Sequence, residues 1–321
     1  MVNEKMYQRK KLLSVRGIFL LLVPPVLVLN IAVTDTTRVQ TDTTATETVV
    51  SDSITAMPMK SVVPAEVVKK AAPLIYPAVE NKAFRVGEKL SFDISYGFIH
   101  AGTATMEVKQ ETIYKARTCY HIQTTAKSAA AFNFIYKVED VVDSYVDRDG
   151  LFSWKFDKRL REGGYKADLL VTYYPEDSLA SVSFTRYKGR MKVFKQQNYN
   201  IKTPPFALDV LASLYYTRTQ KLEVDNSIFI INHDNKKIYD LEVKVFQKET
   251  VETGAGKFEC LLVEPVLKGE GLFKQKGRLK VWLTNDQYKI PVRMTTEIAV
   301  GHITTELEKI EGIPGKIPAR R

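Results

Sequence analysis

Residues 276–310 read KGRLKVWLTNDQYKIPVRMTTEIAVGHITTELEKI. Three strands succeed one another here: Arg278–Thr284, Lys289–Ala299 and His302–Ile310, separated by Asn285-Asp286-Gln287 and by Val300-Gly301. In the first, Leu279, Val281 and Leu283 alternate with Lys280 and Trp282. In the last, Ile303, Thr305 and Leu307 alternate with Thr304, Glu306 and Glu308. A period of two places one face on a core and the other toward solvent, the signature of a half-buried sheet. No catalytic motif interrupts the stretch.

The same pattern extends upstream. Leu90, Phe92, Ile94, Tyr96 and Phe98 alternate with Lys89, Ser91, Asp93 and Ser95, and further strands lie at Thr103–Glu111 and Thr118–Lys127. Val138–Val146 and Leu151–Phe156 form a hairpin around Asp147-Arg148-Asp149-Gly150, a turn whose Asp-Gly step tolerates positive φ. Tyr165–Tyr174, Leu179–Tyr187 and Met191–Gln197 continue the series, and Ala129–Ile135 is a short crossing. One amphipathic helix interrupts the strands. Thr203 is its expected cap, Pro204 its first residue, Asp209 complements its start, and Phe206, Val210, Leu211, Leu214 and Tyr215 form its apolar stripe. Beyond it come strands at Ile228–Ile231, Lys237–Gln247, Thr250–Thr253 and Phe258–Val266. A cysteine-bearing strand ahead of a hairpin occurs twice, with Tyr145-Val146 in one copy where Trp282-Leu283 stands in the other, which reads as a weak internal duplication.

Length and charge bound the rest. The 321 residues carry a formal charge of +10, unevenly spread. Residues 1–33 hold five Lys/Arg and one Glu, residues 34–79 four basic and five acidic, residues 80–312 35 basic and 31 acidic, and residues 313–321 three basic and none acidic. Basicity concentrated in the ends argues against nucleic acid as a partner. Arg9, Lys10, Lys11 and Arg16 precede an uncharged apolar run at 17–33, the layout of a signal peptide or an N-terminal membrane anchor that exports the remainder of the chain. Cleavage and retention both stay open; if retained, the run gives the protein its membrane contact. Residues 34–80, rich in Thr and punctuated by Pro58, Pro64, Pro73 and Pro77, read as a disordered tether. Residues 81–312 form a single β-rich domain, and 313–321 a flexible basic tail.

The sequence holds no G-x-S-x-G elbow, H-E-x-x-H, Walker loop or G-x-G-x-x-G. His100, His121, His233 and His302 lack metal-ligand spacing, and Asp147-x-Asp149-Gly150 places its glycine too early for a calcium loop. No cofactor, metal site or catalytic residue is expected, and the protein reads as a non-enzyme. A hydrolase of an envelope polymer would require carboxylates such as Asp140, Asp143 and Glu264 to converge. Cys119 and Cys260, in an oxidising compartment, are either a disulfide or two buried free thiols. Phe92, Tyr96, Phe98, Met106, Trp282 and Met294 supply large apolar side chains on strands. They serve either as plain core or as the lining of a groove for an apolar or lipidic ligand.

Phe84-x-x-Gly87-Glu88-x-Leu90-x-Phe92, the Gly102 turn, Leu214-Tyr215-Tyr216-x-Arg218, Gly256-x-Phe258-x-Cys260 and Gly277-x-Leu279-x-Val281-Trp282-Leu283-x-x-Asp286-x-x-x-Ile290-Pro291-Val292 together carry a family resemblance. Across about residues 84–310 the chain resembles the bacterial envelope family called domain of unknown function 3108. That family brings no catalytic residues with it. Residues 257–310 are also similar to the carriers that ferry lipoproteins across the periplasm, half-open antiparallel barrels with a helical lid over an apolar cavity. Together with a strand count too high for a flat sheet, this predicts an all-β, mainly antiparallel fold. The expected form is a strongly curved sheet or half-open β-barrel with one packed helix. The expected function is ligand binding in the envelope, with a structural or protein-interaction module as the alternative.

Overall fold

Strand alternation runs through the whole body. A computed structural model describes residues 74–234, 237–268, 278–298 and 301–321. The segment 1–33 and the tether as far as residue 73 lie outside the described residues. The strands are β1 (Lys89–Tyr96), β2 (Ile99–Tyr114), β3 (Arg117–Ser128), β4 (Glu139–Asp147), β5 (Ser153–Glu162), β6 (Tyr165–Tyr174) and β7 (Leu179–Lys188). They continue as β8 (Lys192–Lys202), β9 (Ser227–Asp234), β10 (Lys237–Thr253), β11 (Gly256–Lys268), β12 (Leu279–Thr284), β13 (Pro291–Glu297) and β14 (His302–Glu311). Helix α1 (Ala130–Tyr136) comes after β3, and α2 (Val210–Thr219) after β8.

All fourteen strands join one antiparallel sheet in the order β8-β7-β6-β5-β4-β3-β2-β1-β14-β13-β12-β11-β10-β9. The chain therefore meanders in both directions away from a central pair made by its first and last strands. The sheet is not closed by hydrogen bonds, because β8 and β9 are both edges. It is nevertheless curled: Tyr173 on the third strand of the order hydrogen-bonds His233 Nδ1 on the fourteenth, at 3.0 Å. Side-chain alternation separates the faces. On β5, Phe156, Lys158, Leu160 and Glu162 are buried, whereas Lys155, Asp157, Arg159 and Arg161 are only partly covered. The expected curved antiparallel sheet with one packed helix is what the chain forms.

Three local features depart from the sequence reading. The helix begins at Val210 rather than at Pro204, because Asp209 is the cap: its carboxylate accepts from the amides of Leu211 and Ala212. Phe206 sits at φ +64°, outside helical space, and Leu208 instead bridges in parallel to Asn232 on β9. The tail does not fray. Glu259 N donates to Ala319 O, Arg321 N donates to Lys257 O, and Ala319 is buried, so residues 319–321 run along β11. The last residues assigned to the tether also belong to the body: Tyr76 stacks on Phe152 and Val79 N donates to Asp149 O.

The duplicated unit has a structural counterpart. The β4–β5 register slips between Tyr145 and Val146, and the β12–β13 register slips between Trp282 and Leu283. One residue on, Asp147 pairs with Cys119 and Thr284 pairs with Cys260. A bulge adds local twist, so both halves of the sheet turn at equivalent steps.

Candidate functional site

Helix α2 connects the two sheet edges and is held at both ends by buried charge. At its start, the Asp209 carboxylate caps the first turn and also accepts from Ser144 Oγ (2.6 Å, β4) and Ser153 Oγ (2.7 Å, β5). Ser153 Oγ in turn accepts from the Asp209 amide. Burial raises the Asp209 carboxyl above its ordinary range, opposed by these hydrogen bonds. At the other end, Arg218 makes a bidentate pair with Glu88, 2.7 Å on each arm, and both side chains are fully buried. Its remaining donors reach Ala83 O and Tyr288 O, and its plane lies near the rings of Phe84 and Tyr215. A forked guanidinium with every arm satisfied is the geometry that makes a buried ion pair tolerable.

Beside α2 lies an apolar cleft. Val210 and Leu214 of the helix face Leu241 and Val243 of β10, Val263 and Pro265 of β11, and Leu279, Val281 and Leu283 of β12. The polar residues in the wall are Ser213, Thr217 and Asn232, and Asn232 is already committed to Leu208 O and Ser213 Oγ. The cavity measures about 60 Å³, less than half of the roughly 150 Å³ that admits a benzene ring. It accepts the end of an aliphatic group, and deeper entry requires α2 to move. A wetter hollow of about 300 Å³ lies over the Arg218–Glu88 pair. Several of its wall groups serve the fold: Asn81 holds the amides of Ala83 and Phe84, Arg85 Nε donates to Gly312 O, and Tyr288 donates to Pro314 O.

A second buried cluster faces the interior from β4, β5 and β9: Asp140, Lys158, Glu162 and Asp234. Asp140 Oδ1 accepts from Arg161 N, and the Asp140 and Glu162 carboxyls, with no other donor at Asp140 Oδ2 or Glu162 Oε2, share a proton between them. Burial, reinforced by the neighbouring Asp140, raises Glu162 to about 9, and burial raises Asp234 to about 6. Burial lowers Lys158. A carboxyl whose folded pKa lies above its unfolded value favours the fold while protonated, so its contribution is complete below about 4.5 and is lost as pH rises through about 9. Thermal melts should therefore show the midpoint falling between these limits, and Glu162→Gln should flatten that slope. An unchanged slope in the Gln variant would remove Glu162 from the account.

The family model "Protein of unknown function (DUF3108)" matches residues 91–308, more than half of the chain. The chain belongs to this family. No curated protein matches it. Among solved structures, a DUF1849 β-barrel-like protein from Brucella abortus is 11% identical, covering 72% of this chain and 99% of its own, at a TM-score of 0.46. A candidate exported protein with a YmcC-like fold from Bacteroides fragilis is 12% identical over 74% of this chain and 100% of its own, with a TM-score of 0.29. A candidate lipoprotein from Parabacteroides distasonis is 12% identical over 73% and 97%, with a TM-score of 0.26.

Many of the residues that carry the DUF3108 resemblance meet at the foot of α2. Glu88 and Arg218 are the ion pair, and Phe84 and Tyr215 pack edge to face at 4.7 Å beside it. Asp286 holds the β12–β13 turn through Thr284 Oγ1 and the amides of Tyr288 and Lys289, and its second oxygen accepts from Ala319 N. Gly87, at φ +89°, lies so close to Gly312 that a Cβ on Gly312 would strike the Gly87 carbonyl. In this chain these residues fasten the helix to the sheet.

The groove candidates fall elsewhere. Phe92, Met106 and Met294 are buried in the main core, Tyr96 and Trp282 are half-buried, and Phe98 is 99% exposed at a hairpin tip. Trp282 Nε1 donates to Glu249 at 2.5 Å. None of the six lines the apolar cleft. Cys119 and Cys260 are buried free thiols, with five strands between β3 and β11 in the sheet order. Burial pushes both up to about 12, which leaves little reactive thiolate at neutral pH. The carboxylates considered for hydrolysis do not converge. Asp140 faces inward, Asp143 forms an outer-face network with His121, Gln123 and Arg159, and Glu264 on β11 faces Arg278. Among the described residues no group of three or more His, Cys, Asp or Glu side chains could hold a metal.

Proposed function

We propose that this DUF3108 protein is an exported, non-enzymatic protein of the cell envelope that binds an apolar group beside α2. The observation that carries the reading is the cleft between α2 and strands β9–β12, walled by valine and leucine beside the edge strand β9. The charged flank and apolar run at 17–33 support export. The size of the cavity favours the end of an aliphatic chain, with the rest of the ligand outside. A structural or interaction module is the second reading, favoured by the small cavity and by the apolar side chains left exposed at strand ends.

Val281→Phe places extra volume in the cleft without touching either fastening of α2. Protein purified from its native host should release lipid on solvent extraction and show a ligand-bound species in native mass spectrometry. The Phe variant should lose most of that occupancy, roughly tenfold, while it keeps its β-sheet circular dichroism at an overpacking cost of about 1–3 kcal/mol. Lipid-free native protein, or equal occupancy in both, would favour the interaction module.

A further inference from the structure

Between Asp177 and Asp209 the chain contains no acidic residue. Six basic residues fall in that interval: Arg186, Lys188, Arg190, Lys192, Lys195 and Lys202. Of the 35 basic and 31 acidic residues in 80–312, removing this interval leaves 29 against 31. The positive charge of the body therefore comes from the β7–β8 hairpin and its flank. Five of the six cations lie within the ten residues Arg186–Lys195, and none of those five is in an ion pair among the described residues. The same tip exposes Met191 (40%), Val193 (61%) and Phe194 (49%). Lys188 Nζ lies 3.4 Å from the centre of the Phe194 ring, so the cations surround the apolar group rather than pairing with acids.

Lysines on an edge strand commonly guard against edge-to-edge association, and Lys195 and Lys202 need no other explanation. That role does not call for three exposed apolar side chains at the tip. Nor does a soluble polyanion, which phosphate-facing cations alone would hold. Cations around an apolar wedge match a surface that is anionic outside and hydrocarbon beneath. The placement of the tip agrees. In an antiparallel meander every hairpin that closes an odd-numbered strand lies on one rim. The β1–β2 tip, with Phe98 99% exposed and Ile99 44% exposed, thus shares a rim with the β7–β8 tip.

We propose that this rim docks on an anionic phospholipid surface, with Arg186, Lys188, Arg190 and Lys192 supplying the charge and Met191, Val193 and Phe194 entering the headgroup boundary. Docking of this kind is independent of the apolar cleft and of any contact made by residues 1–33.

A probe placed in the hairpin itself allows full-length protein to be used. Phe194→Trp reports local immersion through quenching by brominated phospholipids, measured against the unsubstituted protein to subtract Trp154 and Trp282. Quenching is expected in vesicles of phosphatidylcholine with brominated phosphatidylglycerol. It should be absent in brominated phosphatidylcholine alone, and should disappear near 1 M salt, where screening falls to about 3 Å. Each basic residue near such a surface contributes roughly fivefold in affinity, so K188E/R190E/K192E should weaken the signal by at least about a hundredfold. If that variant loses its β-sheet circular dichroism, K188Q/K192Q supplies the contrast. Vesicle binding without F194W quenching, equal quenching in neutral vesicles, or stronger binding of the hairpin to DNA or heparin than to anionic vesicles would each overturn the assignment.

Discussion

Arg218→Met should destabilise the protein by roughly 3–5 kcal/mol, because it leaves the Glu88 carboxylate buried without its partner. Ala83 O and Tyr288 O lose their donors in the same step. The cost belongs to the broken pair and not to the absence of charge. A double variant, Glu88→Leu with Arg218→Met, removes both charges and should recover most of the loss. Urea unfolding of the two singles and the double measures this directly. An Arg218→Met variant within about 1 kcal/mol of the parent would show that the pair does not fasten the helix.

Asp209→Ala should cost about 3–8 kcal/mol at the opposite end of α2. A lost helix cap accounts for about 1–2 kcal/mol, and the orphaned hydroxyls of Ser144 and Ser153 supply the remainder at about 1–3 kcal/mol each. Asp209→Asn keeps an acceptor for the amides of Leu211 and Ala212 and should be milder. Because α2 is one short rigid helix, releasing either end frees much of the same buried surface. The costs of Asp209→Ala and Arg218→Met should therefore sum to more than the double variant loses. Strict additivity would mean that the two fastenings act independently. Binding of an apolar dye should rise in either single variant, since Leu211, Leu214 and Tyr215 would leave the core.

The sheet is legible in the sequence because alternation is local: each strand from Leu90 onward announces its buried face within a few residues. The helix is legible as an apolar stripe, but its start is not. Thr203-Pro204 is a strong local signal for a helix N-terminus, and tertiary hydrogen bonds to Ser144 and Ser153 move the cap to Asp209. The six large groove candidates stand out by size, and size alone does not separate core from cleft. The walls that do form the cleft are ordinary valines and leucines whose special position depends on where α2 crosses the sheet. The fastening of α2 rests on Glu88 and Arg218, 130 positions apart, and no periodicity links residues at that separation. The charges of the β7–β8 hairpin alternate with apolar residues and so resemble a solvated strand end. The prolines and charges of the tail suggest fraying, yet Ala319 and Arg321 find strand partners on β11 that only the folded sheet supplies.

The pairing of β1 with β14 has a kinetic consequence. Leu90 sits opposite Ile310, 220 positions later in the chain. A polypeptide made from its N-terminus completes β1 long before its partner β14. Until then, the LSFDISY edge stands open, and hairpins formed on both sides of the future seam cannot complete their common core. Contacts this distant in sequence slow folding and prolong exposure of unpaired edges. The protein's most vulnerable interval therefore lies between the making of β1 and the making of β14. Escort factors that cover a bare strand during those seconds would act on β1 first.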